Sequence, residues 1–167
     1  MGFDLSGVNP KIHTERSEYA FYGDESINIH NVDNEEIRRK YWNEWERYHD
    51  ENPGIYFRNN VWYWRPLWNF VIDNCHNFMT EDQMEAGAFN DCKLINQKTA
   101  AKIGTKLKIL LEDGTVESWE KKIKTVNKKL ADSNNKDDNF KSSYPFEVEN
   151  VENFANFCLE SGGFEIC

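Results

Sequence analysis

Cysteine and proline are scarce in this chain of 167 residues, with four of each, and long apolar runs are missing altogether. Nothing approaches the roughly 20 consecutive apolar residues that a membrane span needs. Mean hydropathy is -0.81, so no membrane partner is expected. The opening Met1-Gly2-Phe3-Asp4 has neither the basic start nor the apolar run of a secretory signal. Cys75, Cys92, Cys158 and Cys167 contain no short Cys-x2–4-Cys pair able to wrap a tetrahedral ion. With no export signal, free thiols are the default, and neither a metal nor a cofactor is expected. No Walker sequence and no Gly-x-Gly-x-x-Gly loop is present to cradle phosphate. A Gly-x-Ser-x-Gly elbow is also missing, and no histidine is clearly paired with a nucleophile. His76 is the best placed, yet it serves equally well at a helix end. No carboxylate pair stands out among 29 acidic residues. The balance leans against an enzyme.

Positive charge is also short. The net charge of -9 argues against duplex nucleic acid or anionic lipid as a partner. The exception is residues 93–129, where ten lysines face four acidic residues and arginine is absent; that block reads as the solvated face of helices. Aromatic residues are plentiful at 14%, so much of the core is expected to be built from rings. The length suits a single domain, residues 1–167.

Residues 3–8 alternate apolar and polar, the period of a half-buried strand ended by Asn9-Pro10. Residues 11–33 show no sustained period and read as a variable or mobile segment, with a minor strand hinted at by Ile27, Ile29 and Val32. Asp33 or Asn34 caps a helix striped by Ile37, Tyr41, Trp45 and Tyr48, which ends before Asn52-Pro53-Gly54. A second helix starts near Asn60 or at Pro66. Thr80 to Gln83 has the form of a capping box for a short helix stopped by Gly87. Residues 88–95 read as a loop. Asn96 caps a helix reaching about Glu112, and Asp113-Gly114 turns the chain into its antiparallel neighbour. Residues 132–143 read as an exposed or disordered loop. Val148 to Cys158 stripe a last helix with Gly162 beyond its end. Phe164 to Cys167 make a terminal strand that could pair with residues 3–8. The expected fold is mainly α in an α+β arrangement: five or six helices around an aromatic core, with a small sheet of the N- and C-terminal strands.

Tyr56 to Trp68 is the unusual stretch. It combines Arg58, Asn59, Asn60, Trp62, Trp64 and Arg65. Arginine forks onto phosphate or carboxylate oxygens, and indoles offer flat faces to a ring. If residues 56–64 are extended, Arg58, Asn60, Trp62 and Trp64 share one face; if residues 60–68 are helical, Asn60 lies over Trp64. The competing reading makes the tryptophans core and the arginines ion-paired cover. Asn90, Asp91 and Glu165 are the other polar groups outside regular stripes, and they complete the candidate ligand site.

Three groups of residues resemble a known family: Met1-Gly2-Phe3-Asp4 with Gly7 and Pro10; Tyr56 to Trp62 with Arg65-Pro66-Leu67-Trp68; and Phe154, Phe157-Cys158 and Ser161 to Cys167. The pattern is similar to a group of uncharacterised proteins of phages and bacteria that has no established function. The resemblance implies a phage-linked, cytoplasmic protein. It also gives Asn-Asp-Gly where this chain has Asn90-Asp91-Cys92.

Two functions follow as expectations. The first is a small-molecule-binding protein that captures an anionic, ring-bearing ligand such as a nucleotide-derived signal, with an anti-defence use in a phage context. The alternative is a protein–protein interaction module that inhibits a host factor, anchored by tryptophan and arginine. Oligomeric state is not legible.

Overall fold

The computed structural model describes residues 2–89 and 91–167. In chain order these form β1 (Gly2–Gly7), α1 (Glu35–Glu51), β2 (Tyr56–Asn60), α2 (Val61–Cys75), α3 (Glu81–Ala86), β3 (Lys93–Asn96), α4 (Gln97–Glu112), α5 (Thr115–Ala131), α6 (Lys136–Lys141), α7 (Val148–Glu160) and β4 (Gly163–Ile166). The fold is mainly helical with one four-stranded sheet, all antiparallel, in the order β2-β1-β4-β3.

The terminal strands β1 and β4 pair at the centre of the sheet, Leu5 opposite Ile166 and Ser6 opposite Glu165. Strand alternation sends Phe3, Leu5, Phe57, Ile95, Phe164 and Ile166 to the buried face. Asp4, Ser6, Arg58, Leu94 and Glu165 occupy the other face, where Asp4 lies opposite Arg58 and Leu94 opposite Glu165. Helices α2, α4 and α7 cover the buried face with Trp64, Trp68, Ile103, Leu107, Phe154 and Phe157. Gly162, with φ of 63°, makes the left-handed turn that carries α7 straight into β4.

Several local signals act as their chemistry dictates. The Asn34 side chain accepts from Glu36 and Ile37 at the start of α1. Thr80 and Gln83 form a reciprocal capping box on α3. Asn96 accepts from Thr99 N–H, 3.0 Å away, at the start of α4. Gly114, with φ of 80°, joins α4 to α5.

Three segments differ from the sequence reading. Residues 88–95 are not wholly loop, because Ile95 is fully buried and pulls β3 onto the edge of β4. Helix α2 takes the first of the two starts the sequence allows: Asn60 caps it, and Pro66 lies inside it. The hinted strand at Ile27–Val32 is a single tight helical turn, Ile29–Asn31. Residues 132–143 contain α6, capped by Asn135. Residues 11–33 are fastened to α1: Phe21 and Tyr22 N–H both donate to Glu44, and the Tyr19 hydroxyl donates to Glu51. Asn52, fully buried, accepts from the N–H groups of His13 and Thr14. This segment and α1 form a satellite aromatic cluster of Tyr19, Tyr22, Tyr41, Trp42, Trp45 and Tyr48.

Cys92 and Cys167 are joined in a disulfide that spans 75 residues and ties β3 to the end of β4, which corrects the free-thiol expectation for that pair. The φ of Cys92 is 57°, a conformation that suits glycine. Reduction removes a long-loop crosslink and is expected to lower stability by about 2–4 kcal/mol. Thermal melts with and without reductant check this. Cys92→Ser should melt at the reduced temperature under both conditions.

Candidate functional site

The central stretch is both extended and helical, changing over at Asn60. Asn60 spends its side chain on that junction, accepting from Trp62 N–H at 3.0 Å and Tyr63 N–H at 3.2 Å. The change splits the expected site among three places.

The first is the core. Trp64 is fully buried and donates its indole N–H to Gly87 C=O at 2.7 Å. It stacks on Trp68 at 5.2 Å between ring centroids and on Phe3 at 5.3 Å. Trp68 donates to Met84 C=O at 2.8 Å. These indoles have their partners inside the protein, so Trp64 is not a ligand-contacting residue.

The second is the outer face and edge of the sheet. Arg58 is two-thirds exposed and lies 3.4 Å from Asp4. Tyr56 donates to the same carboxylate, and burial together with that bond pushes the Tyr56 hydroxyl up to about 12. Asn59, nearly buried, donates to Asn150 at 2.8 Å. Glu165 is exposed two strands away, opposite Ser6 and Leu94. Asp91 is 3.5 Å from Lys93. Asn90 lies outside the described residues. Arg58, Asp91 and Glu165 therefore do not converge with Arg65.

The third place is a cleft of about 510 Å³ between α2 and α5. Its lining combines Arg65, Pro66, Asn69, Phe70 and Asp73 of α2 with Trp119, Ile123 and Asn127 of α5, and Tyr144. Arg65, Asn69 and Asp73 recur every four residues, which puts their heads in one row along the cleft. Phe70 is buried and makes the floor, 5.7 Å from the half-buried Trp119 ring. Asn127 donates to Tyr144 C=O at 2.8 Å and fixes the wall. Trp62 stands behind Tyr144 at 4.9 Å, a supporting position. Among the described residues the side chains of Arg65, Asn69 and Asp73 have no hydrogen-bond or ion-pair partner. The Lys122 ammonium lies 4.6 Å from the Trp119 ring centre. The cleft thus has an aromatic floor, a cation at one end and a carboxylate two helical turns away.

Of its lining, the sequence pointed only to Arg65. Trp119 and Ile123 belong to a regular apolar stripe of α5 and look like core. The available signal was on α2, where the polar row of Arg65, Asn69 and Asp73 runs beside the apolar face.

Among the described residues, the free cysteines are buried and two of the histidines are held on helix carbonyls. Burial pushes the Cys75 thiol up to about 12 and the Cys158 thiol well above its ordinary value, so neither is a thiolate nucleophile near neutral pH. His76 and His49 each direct Nδ1 at a carbonyl one turn back, Ile72 and Trp45 respectively. Among the described residues no three His, Cys, Asp or Glu side chains are grouped to hold a metal ion. No helix of the described residues is long and apolar enough to cross a membrane. No family model, curated protein or solved structure matches the chain.

Proposed function

We propose that the protein captures a small anionic, ring-bearing ligand of the nucleotide class in the α2–α5 cleft. The observation that carries this reading is an unpaired arginine, Arg65, on the rim of a cleft walled by Trp119 and Tyr144. The volume falls in the range of small-molecule sites, about 300–1,000 Å³. Arg65 supplies a planar fork for phosphate oxygens. Trp119 and Tyr144 offer ring faces, and Asn69 and Asn127 offer amide groups at the rim. Asp73 accepts from a hydroxyl or amino group at the far end, which favours a ligand carrying donors as well as an anion. The resemblance to a phage-linked family makes capture of a nucleotide-derived signal, with an anti-defence use, the context we propose for this activity.

Isothermal titration with a panel of linear and cyclic nucleotides tests the reading. Arg65→Ala is expected to weaken binding by about 10–100-fold, the worth of a hydrogen bond to a charged group. As an exposed substitution it should leave stability within about 0.5 kcal/mol. Arg58→Ala should leave affinity unchanged. Equal affinity of wild type and Arg65→Ala would remove the anion anchor from the account.

A further inference from the structure

Strand β2 is an outer strand of the sheet, paired only with β1. Phe57 and Asn59 lie opposite Leu5 and Phe3, and Gly7 N–H donates to Ile55 C=O at 2.9 Å. In an antiparallel ladder with that register, the backbone groups of Phe57 and Asn59 face β1, and those of Tyr56 and Arg58 point off the edge. Among the described residues nothing pairs with the N–H and C=O groups of Tyr56 and Arg58. Such an edge is a template for another strand.

A groove runs beside it. Two adjoining hollows of about 530 Å³ and 380 Å³ share Arg58, Asn150 and Asn153. Asn150, Asn153 and Asn156 of α7 make one polar wall along the strand. The side chains of Asn153 and Asn156 have no hydrogen-bond partner among the described residues, so their amides are available to a peptide. Charge then selects the occupant. Arg58 is drawn to Asp4, whereas Glu147 and Glu149 at one end of the groove and Asp50 at the other form no ion pair among the described residues. The uncompensated charge of the groove is therefore negative.

We propose that the β2 edge binds an extended, lysine-bearing peptide segment of a partner protein, added as a further strand of the sheet. The backbones of Tyr56 and Arg58 would hold the peptide main chain, and the asparagine wall and the carboxylates would meet its polar side chains; this is the strand-addition mode of recognition. A second copy of the chain fits less well. Pairing β2 with itself about Arg58 sets two guanidiniums side by side and brings two sets of carboxylates together. The groove shares no lining residue with the α2–α5 cleft, so the two sites stand or fall separately.

The test uses two capped synthetic peptides, Thr-Lys-Val-Lys-Val-Lys-Thr and the same peptide with glutamate for lysine, titrated into the full chain with amide NMR detection. The lysine peptide is expected to bind saturably, to shift the Tyr56 and Arg58 amides and to slow their exchange; the glutamate peptide should not bind. Arg58→Pro removes an N–H that makes no ladder bond, and proline is tolerated on sheet edges. It should weaken binding by at least about tenfold. If that variant does not fold, the double variant Glu147→Lys/Glu149→Lys reads the charge arm, with an expected loss of about three- to tenfold. Absence of saturable binding overturns the proposal, as does equal binding of the two peptides or undiminished binding by both variants. A dimer seen by sedimentation and dispersed by Arg58→Pro would identify a second copy as the occupant and overturn it equally.

Discussion

Trp64→Ala should lower the melting temperature by roughly 6–20 °C, corresponding to about 3–5 kcal/mol for an aromatic-to-alanine change in a packed core. Two losses add up at this one position. The indole ring leaves a void among Phe3, Trp68 and Phe154, all of which are within ring-contact distance of it. The Gly87 carbonyl also loses its donor in a buried setting, and an unsatisfied buried acceptor costs about 1–3 kcal/mol on its own. Trp64→Phe separates the two contributions, because it keeps most of the volume and removes the N–H. Calorimetric melts should order the proteins as wild type, Trp64→Phe, Trp64→Ala. The exposed Arg58→Ala should sit beside wild type, since an exposed ion pair is worth about 0–1 kcal/mol.

Gly87→Ala is expected to destabilise by about 1–3 kcal/mol or more, the usual result of overfilling a packed site. A Cβ at this position would lie 2.2 Å from Trp68 Nε1 and 2.3 Å from Cε2. Trp68 is 3% exposed and holds its N–H on Met84 C=O, so the ring has little room to withdraw. Displacing it would also pull on the stack with Trp64. The reason for glycine here is close approach and not backbone conformation, because Gly87 has φ of -78°. Gly114→Ala is the contrast: nothing lies within 4 Å of its added carbon, but its φ is 80°, so its cost comes from backbone strain. Denaturant unfolding of the two variants should show the larger loss at Gly87.

The central stretch is legible in the sequence only in part. Its composition announced an unusual site, and its periodicity left open whether Tyr56 to Trp68 was strand or helix. The chain uses both, and the change of period at Asn60 sends Arg58 to the outer face of the sheet, Trp64 into the core and Arg65 to the α2–α5 cleft. A site inferred from neighbours in sequence was therefore divided by geometry. Nothing in the sequence marks Trp119 and Tyr144 as lining the α2–α5 cleft, because they sit in segments far away in the chain and, in the case of Trp119, on an ordinary apolar stripe. Short-range chemistry was far more legible. Asn34, Asn60, Thr80 and Asn96 cap helices where their side chains can reach free N–H groups. The pairing of the terminal strands followed from matching alternation in residues 3–8 and in the tail. Strand β3 escaped notice because only Ile95 marks its buried face, and a single apolar residue sets no period.

The proposed ligand enters the α2–α5 cleft and not the neighbourhood of Arg58. The six tryptophans report on this separately through their indole N–H resonances. With a binding nucleotide added, Trp119 should shift most and Trp62 should follow through Tyr144, while Trp64 and Trp68 stay fixed on Gly87 and Met84. In Arg65→Ala the same shifts should need about 10–100-fold more ligand. A ligand that moves Trp45, beside Tyr56 of β2, while Trp119 stays still would contradict this reading, as would no movement of any indole across the nucleotide panel.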